Sequence, residues 1–329
     1  MTLIMKAIRR VKALKIAKNI FEDQLNAIKL KLGVFVFNIG STHEAFSVRE
    51  SLAYINSVYD EYLLYADIEK DGLAGKRILE IGPGDNLGVA LKFIASGAAQ
   101  VVCIDRIYSE RNERQQCDIY SALRGTLDPD AREFFDLAVT LDCGKVRFNS
   151  ERIKNISGVD IAGANKILEG EFDIIVSRAV LEHIYDIDGA FCVMDKHLKK
   201  GGRQLHKVDL RDHEMFTRDG FNPLTFLTIP AFVWNLMTRH SGKPNRKTAE
   251  YFKEKLEALG YDYDIWVTHL VTRENEIKPH KKEIISGMDY DSRDLEIVKS
   301  IRPRLSMEFS RFSDESLLVG GIFITAKKV

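Results

Sequence analysis

The feature that most constrains this chain is an apolar segment that leads directly into closely spaced glycines and then into a helical stretch. The segment RILEIG (77–82) has the composition of a buried β-strand, and VALKFIASG (89–97) that of a helix ending near a glycine. The loop Glu80-Ile-Gly-Pro-Gly-Asp-Asn-Leu-Gly88 joins them. Glycines let a backbone approach a ligand closely, and a helix N-terminus offers unpaired N–H groups. This order of elements predicts a nucleoside-binding loop in an α/β fold.

The chain from Arg77 onward alternates short apolar runs with longer helical stretches, which is the pattern of a parallel sheet with crossover helices. We predict seven strands, at 77–82, 101–105, a short one ending near Phe148, 172–177, 203–210, 261–270 and 317–326. The last two are expected to form an antiparallel pair at one end of the sheet. The expected fold class is α/β: a Rossmann-like seven-stranded, mostly parallel sheet with an antiparallel terminal strand pair, a helical N-terminal extension and an inserted cap.

The predicted domain organisation has two parts. Residues 1–70 are expected to form a basic helical N-terminal extension, and residues 71–329 the sheet-containing domain, with insertions at 211–246 and 271–316. Lys plus Arg and Asp plus Glu both total 48, so the charge of the whole chain indicates no nucleic-acid partner. The four cysteines form no C-x-x-C pair, which favours a reduced, cytoplasmic protein.

The first 31 residues are strongly basic, because eight lysines and arginines face only Glu22 and Asp23. Apolar residues recur among them at near-helical spacing, which predicts an amphipathic helix. One interpretation is peripheral contact with an anionic membrane, at the inner membrane face. The other is a helix that packs on the domain and leaves its lysines solvated. The basic residues are Lys6, Arg9, Arg10, Lys12, Lys15, Lys18, Lys29 and Lys31.

The glycine spacing separates two classes of nucleotide-binding protein. A dinucleotide-binding fold needs G-x-G-x-x-G, in which the third glycine packs the helix against the strand. Here Leu87 occupies that third position. The motif Glu80-x-Gly82-x-Gly84 resembles instead the first motif of class I S-adenosylmethionine-dependent methyltransferases. Asp105, which closes the second strand, resembles the acidic residue that binds the ribose hydroxyls in that family.

The resemblance implies S-adenosyl-L-methionine as cofactor and assigns roles to the matching residues. The glycines would shape the loop, Glu80 would support the methionyl end, and Asp105 would hold the ribose. Asn149 to Arg152 would border the adenine. The expected cofactor-binding residues are Glu80, Gly82, Gly84, Asp85, Gly88, Asp105, Arg106 and Ser177.

Three other interpretations of the loop stay open at this point. The first is an NAD(P)-dependent Rossmann oxidoreductase, which Leu87 and Glu80 disfavour. The second is a glycine turn with a purely structural role. The third is a non-catalytic, membrane-associated protein that binds the cofactor without turning it over.

The candidate catalytic residues follow the fourth and fifth predicted strands. The segments FDIIVSRAVLEHIYDID (172–188) and LKKGGRQLHKVDL (198–210) resemble the corresponding parts of the same family. Ligands bind beyond the carboxyl ends of such strands, and a histidine there suits removal of a proton from an acceptor. The alternatives are a hydrogen-bonded structural anchor or a divalent-ion site, although the spacing matches no established metal site and no metal is predicted. The candidates are His183, His206, Asp209 and His213, with Asp212 beside them.

The insertion at 211–246 is rich in aromatic residues and is expected to be a packed cap over the site. Asn245-Arg246, near its end, would cap the next helix or contact substrate. The resemblance extends to bacterial methyltransferases that tailor surface polysaccharides or small molecules. The expected acceptor is therefore a hydroxylated small molecule or a glycan, methylated on oxygen. A protein acceptor also stays open.

Overall fold

A central β-sheet organises the computed structural model, which describes residues 11–32, 43–107, 109, 111–142 and 144–329. The predictions for residues 1–10 and for the apolar run from 33 to 39 lie outside these residues. The strands are β1 (Arg77–Ile81), β2 (Gln100–Asp105), β3 (Val139–Asp142), β4 (Lys145–Phe148), β5 (Ile153–Ser157), β6 (Phe172–Arg178), β7 (Leu198–Asp209), β8 (Tyr261–Leu270) and β9 (Val319–Lys328).

Seven of these strands form one sheet in the order β5-β2-β1-β6-β7-β9-β8. The pairings from β5 to β7 are parallel, whereas β9 is antiparallel to both β7 and β8. The seven-stranded Rossmann-like sheet with a terminal antiparallel pair is therefore confirmed. The predicted third strand ending near Phe148 was wrong, because β3 and β4 form a separate hairpin and the sheet continues through β5.

The helices follow the predicted alternation. A new helix begins at Pro129, because Asp128 accepts a hydrogen bond from Ala131 N and caps it. The helices are α1 (Lys12–Lys31), α2 (Val48–Ala66), α3 (Gly88–Ala95), α4 (Glu113–Gly125), α5 (Pro129–Ala138), α6 (Ile187–His197), α7 (Ala231–Thr238), α8 (Ala249–Ala258), α9 (Ser292–Ile301), α10 (Met307–Ser310) and α11 (Asp314–Leu318).

Two apolar clusters cover the two faces of the sheet, because successive strand residues point to opposite sides. On β1, Ile78 belongs to the cluster that contains residues of α2 to α5, and Leu79 to the cluster that contains residues of α6 and α8. Ile55 and Tyr59 of α2 are fully buried in the first cluster. Helix α2 is therefore part of the main core, although it falls within the predicted N-terminal extension at 1–70.

A third apolar cluster, which we call the cap, combines both predicted insertions with helix α1. Buried residues of the cap come from 215–237 and 290–318, and Ile16 and Ile20 of α1 pack against them. Helix α1 runs parallel to α7. Lys12, at the start of α1, donates a hydrogen bond to Thr228, which lies just before α7. His240, which lies just after α7, donates through its backbone N to Asp23 of α1 at 2.7 Å. The amphipathic helix thus packs on the domain.

The outward face of α1 also carries apolar side chains. Phe21 is 65% exposed and Ile28 55% exposed, and Lys18 and Lys29 are exposed beside them. Within the described residues no helix is both long and apolar enough to cross a membrane. Contact of this face with a membrane surface stays a prediction.

The second half of the glycine loop is packed against α2. A Cβ atom on Gly88 would lie 2.3 Å from Cδ1 of Ile55 and 2.7 Å from Oδ1 of Asn86. Asn86 Oδ1 accepts a hydrogen bond from Gly88 N at 2.7 Å, so it is not free to move away. A glycine is needed here for the contact between two helices.

We expect Gly88→Ala to lower the free energy of unfolding by about 1–3 kcal/mol, because the added methyl group overpacks a filled core. Urea unfolding of the purified protein measures this change. Gly125→Ala is the matched control, because nothing lies within 4 Å of a Cβ atom built on Gly125. Equal stability of Gly88→Ala and the wild type would contradict the packing role.

Candidate functional site

A cavity opens at the carboxyl ends of β1, β2, β5 and β6, where ligands bind in sheets of this kind. It encloses about 770 Å³, a volume that includes space open to solvent. Gly242 contributes to its wall from the cap. The lining residues are Ile81, Gly82, Gly84, Ile104, Asp105, Arg106, Ile107, Val159, Asp160, Ile161, Ala179, Val180, His183, Ile184 and Gly242.

The first two glycines of the loop are required by the backbone conformation. Gly82 has φ of 70° and Gly84 has φ of 68°, a region that favours glycine. A Cβ atom on Gly82 would lie 2.3 Å from a methyl group of Val180, a residue that also lines the cavity. Both glycines therefore let the loop pass close to the space where a ligand would lie.

Asp105 lies at the cavity wall with its carboxylate held by the backbone. Oδ1 accepts a hydrogen bond from Ile107 N at 2.8 Å, and Oδ2 accepts one from Gly84 N at 3.3 Å. Burial raises the pKa of this carboxyl group. Each oxygen accepts one hydrogen bond from these partners and has a second lone pair for a ligand hydroxyl.

Four of the eight predicted cofactor-binding residues do not line the cavity. Glu80 is buried beside Cys103, with 3.5 Å between Oε2 and Sγ, and burial raises its pKa to about 7. Asp85 accepts a hydrogen bond from Glu44 N at 2.9 Å. Gly88 packs against α2. Contact of Glu80, Asp85 and Gly88 with the cofactor stays a prediction, and the structure shows them in the contacts given above. Ser177 is bonded elsewhere, as described below.

The prediction that Asn149 to Arg152 border the ligand is also corrected. These residues precede β5, so they lie at the amino end of the strand, away from the cavity. The cavity is lined instead by Val159, Asp160 and Ile161, which follow β5. Sequence patterning missed them because β5 lies at the edge of the sheet, and three of its five residues are half-buried or exposed polar groups.

The turn after β6 places Glu182 and His183 beside the cavity. It forms a short 3₁₀ helix, Leu181–His183. Glu182 is only 2% exposed; its Oε1 accepts a hydrogen bond from Asp209 N at 3.1 Å, and its Oε2 has no partner among the described residues. Burial raises the pKa of Glu182 to about 8. Burial also lowers the pKa of His183 to about 4, and its Nδ1 is buried without a described partner.

His213 reaches the same place from the loop after β7. Its ring centroid lies 4.9 Å from that of His183, and its Nε2 lies 4.0 Å from Oε1 of Glu182. His213 has φ of 47° and Glu214 has φ of 59°, a strained conformation for both residue types. Of the four predicted catalytic residues, the structure therefore places His183 and His213 next to each other. Glu182, which was not among the four, lies beside them.

The buried carboxylate of Asp212 holds this strained turn. It accepts hydrogen bonds from Glu214 N at 3.1 Å, Phe216 N at 2.7 Å and Thr217 N at 2.9 Å. The Thr217 hydroxyl group donates a fourth, at 2.8 Å. Asp212 is therefore a positioning residue for His213 and has no contact with the cavity.

Asp209 lies near the cluster but its carboxylate is already paired. The Arg211 guanidinium donates to both of its oxygens, at 2.9 and 2.6 Å. Although burial raises its pKa, the hydrogen bonds from Arg211 hold the pKa of Asp209 below its usual value. Asp209 is an ionised partner of Arg211 and is unsuited to take a proton from an acceptor at neutral pH.

The predicted catalytic role of His206 is corrected by its position in the sheet. His206 is 0% exposed; its Nδ1 lies 2.8 Å from Ser177 Oγ and its Nε2 lies 3.0 Å from Gln204 Oε1. Neither His206 nor Ser177 lines the cavity. Both side chains are satisfied inside the core, so they support the sheet and do not contact a ligand.

Asn245 has a role that sequence patterning did not assign. Its backbone N donates to Glu182 O at 2.7 Å, and its Nδ2 donates to Leu181 O at 2.7 Å and to Ile184 O at 2.9 Å. Asn245 therefore fixes the turn that carries Glu182 and His183. It does not cap α8, where Thr248 occupies the N-cap position. Arg246 is buried against the ring of Trp234, at 4.8 Å.

Comparison with known proteins assigns the domain. A family model described as a methyltransferase domain matches residues 54–264, more than half of the chain. No curated protein matches the chain significantly.

Solved structures give more distant likenesses. A phosphoethanolamine N-methyltransferase of Haemonchus contortus is 16% identical with a TM-score of 0.40; the match covers 83% of this chain and 52% of that one, so this chain spans about half its length. A magnesium protoporphyrin IX methyltransferase of Synechocystis is 13% identical with a TM-score of 0.38, over 85% of this chain and 83% of that one. An O-methyltransferase family 2 protein of Planctomyces limnophilus is 12% identical with a TM-score of 0.38, over 87% and 63%. At these scores the likenesses assign no substrate.

The buried position of His206 predicts a defined pH dependence of stability. Burial lowers its folded-state pKa to about 3, below the unfolded value of about 6.5, so the unfolded chain binds more protons between these values. Stability is therefore lost as pH falls through this window. Between about pH 7.5 and about pH 5.5 this group alone should remove about 1.4 kcal/mol.

Urea unfolding gives the free energy of unfolding of the wild type and of His206→Gln at both pH values. The effect of His206 is the loss of free energy between the two pH values in the wild type minus the same loss in the variant. The variant should lack this part of the acid destabilisation. The same loss in both proteins would show that His206 is not the buried neutral group described here.

Proposed function

The chain belongs to the methyltransferase family and uses S-adenosylmethionine as its methyl donor, and from that premise we propose that it methylates an oxygen atom of a hydroxylated small molecule or a glycan. The observation that carries the proposal is the cluster of Glu182, His183 and His213 next to the cavity. Its imidazole nitrogens and carboxylate oxygens are hydrogen-bond acceptors, which suits an acceptor that must lose an O–H proton.

The cavity fits the donor by the chemistry of its walls. Asp105 offers two carboxylate oxygens with acceptor capacity left for the ribose hydroxyls. Ile107, Val159 and Ile161 offer apolar surface for a planar base. Gly82 lets the loop pack directly against Val180, because a Cβ atom there would lie 2.3 Å from its methyl group. When bound, the donor supplies an electrophilic methyl group carried on a positively charged sulfur.

The position of His183 connects the donor cavity to the acceptor. His183 lines the cavity, and His213 lies behind it on the side of the cap. Because methyl transfer is a direct displacement, alignment of the two substrates supplies much of the acceleration. We assign to His183 a hydrogen bond that orients the acceptor hydroxyl group, and to His213 the acceptance of its proton. The aromatic cap would exclude water from this space.

Donor binding is expected to depend on Asp105. Asp105→Asn should weaken the binding of S-adenosylhomocysteine by roughly tenfold, because a charged hydrogen-bond acceptor is replaced by a neutral one. Isothermal titration calorimetry on the purified protein measures this affinity. Asp85→Asn is the matched control in the same loop, because Asp85 bonds to the backbone of Glu44 away from the cavity.

Wild-type affinity in Asp105→Asn would contradict the assignment of the ribose site. A thermal shift that is larger with NADH than with S-adenosylhomocysteine would contradict donor binding itself.

Oxygen methylation is tested with a radiolabelled donor and a panel of phenols, sugars, amines and thiols. We expect label in the phenol or sugar products, and His213→Ala should lower turnover by roughly 10²-fold or more, in the range of a lost proton-transfer group. Donor affinity should stay unchanged in this variant. His240→Ala is the control, because His240 is also a partly exposed histidine paired with a carboxylate, Asp23. Label only in amines or thiols, or no transfer at all, would contradict the proposal.

A further inference from the structure

The cluster of Glu182, His183 and His213 also has the composition of a metal site. One ligand atom from each residue can be chosen so that all three lie within 4.8 Å of one another. Two imidazoles and one carboxylate suit divalent first-row transition metals, and such a set leaves coordination positions open. Composition and spacing alone are common in proteins, so the state of each ligand atom decides whether the site is built for an ion.

Two of these side chains have a buried polar atom without a partner. Glu182 is only 2% exposed, and its Oε2 has no hydrogen bond within the described part of the chain. The same holds for Nδ1 of His183. Among the described residues no lysine or arginine pairs with Glu182. A buried carboxylate oxygen without a partner costs free energy of folding unless a cation compensates it.

One ring nitrogen of His213 is used in the way that metal ligands use it. His213 Nδ1 lies 3.0 Å from Arg211 O, which leaves Nε2 directed toward Glu182. His183 Nδ1 is buried without a described partner. A backbone carbonyl that accepts from one ring nitrogen fixes the tautomer and the orientation, and so presents the other nitrogen as an electron-pair donor.

A second cluster of similar composition provides a comparison within the same molecule. Glu61, Glu276 and His280 also have ligand atoms close together. There, however, Lys207 donates to Glu61 at 2.8 Å and also to Glu276, and Arg178 donates to Glu61. Side-chain cations already neutralise that cluster. The cluster at Glu182 has no such cation, because the nearby Arg211 is bonded to both oxygens of Asp209.

We propose that Glu182, His183 and His213 bind one divalent transition-metal ion of the Zn²⁺, Mn²⁺ or Co²⁺ type beside the donor cavity. Asn245 and Asp212 hold the two turns that carry the ligands, so the site is preformed. The ion's role rests on the proposed function, and the ion takes over the part assigned above to the imidazole rings, which become its ligands. The acceptor oxygen would occupy an open coordination position, where the ion lowers the pKa of its O–H group. The oxygen–carbon bond forms as the carbon–sulfur bond breaks, and the proton leaves to water. The products are a methyl ether, S-adenosylhomocysteine and a proton.

Direct binding of Co²⁺ to the full chain tests the site without donor or acceptor. The protein is treated with a chelator, dialysed and titrated with CoCl₂ while the visible ligand-field absorption is recorded. We expect saturation at one ion per chain. His213→Ala and Glu182→Gln should each weaken binding by roughly tenfold or more, since removal of a ligand costs at least as much as removal of its outer-shell partner. His240→Ala should bind as the wild type does.

His213→Ala is the primary variant, because His213 is partly exposed and its removal leaves the core intact. Absence of saturable Co²⁺ binding, or equal binding by His213→Ala and the wild type, would overturn the proposal. The outcome is separable from the proposed function. Oxygen methylation that persists in the presence of a chelator would overturn the site and leave that function standing; Co²⁺ binding with methyl transfer only to amines would leave the site standing and overturn that function.

Discussion

The parallel pairing of β1 between β2 and β6 is the constraint on which the rest of the site depends. Ile81 lies beside Ile104 on one side and Ser177 on the other, so the three strands end at the same edge. Gly82 N extends the ladder by one bond, donating to Ile104 O at 2.8 Å. Whatever follows each strand is therefore brought to one place. The glycine loop, Asp105 and the turn with Glu182 and His183 meet there because their strands are hydrogen bonded in this order.

Buried polar groups separate the residues that stabilise this fold from those that are free to act on a ligand. His206 lies deep in the core but has a partner for each ring nitrogen, so its burial is satisfied and it is chemically inert. Asp212 accepts four hydrogen bonds and holds a strained turn. Glu182 is equally buried but keeps one oxygen without a described partner. An unsatisfied carboxyl group in an otherwise well-bonded region indicates a function that folding alone does not require.

The parts of the structure that could be predicted are those in which local pattern and tertiary environment agree. Buried strands such as β1 and β6 are continuous apolar runs, and they were placed within a residue or two. The edge strand β5 is half polar, so the pattern favoured the neighbouring hairpin instead. The spacing His206, Asp209, His213 suggested one cluster, but residues three apart on a strand face opposite sides of the sheet. His206 therefore points into the core, while His213 belongs to a left-handed turn that no spacing rule foresees.

The sequence predicts a cap at 211–246 but not the other segments that join it, because the parts of the cap meet only in three dimensions. Helix α1 precedes β1, the segment 211–246 follows β7 and the segment 271–316 follows β8, yet they share one apolar cluster. The cap contacts the site through two residues that are close in sequence: Gly242 lines the cavity, and Asn245 bonds to the turn that carries His183. The sheet edge carries the residues proposed to bind the donor, whereas the cap and the loop after β7 lie beyond His183. We therefore expect substitutions in the cap to affect acceptor choice and to leave the hydrogen bonds at Asp105 intact.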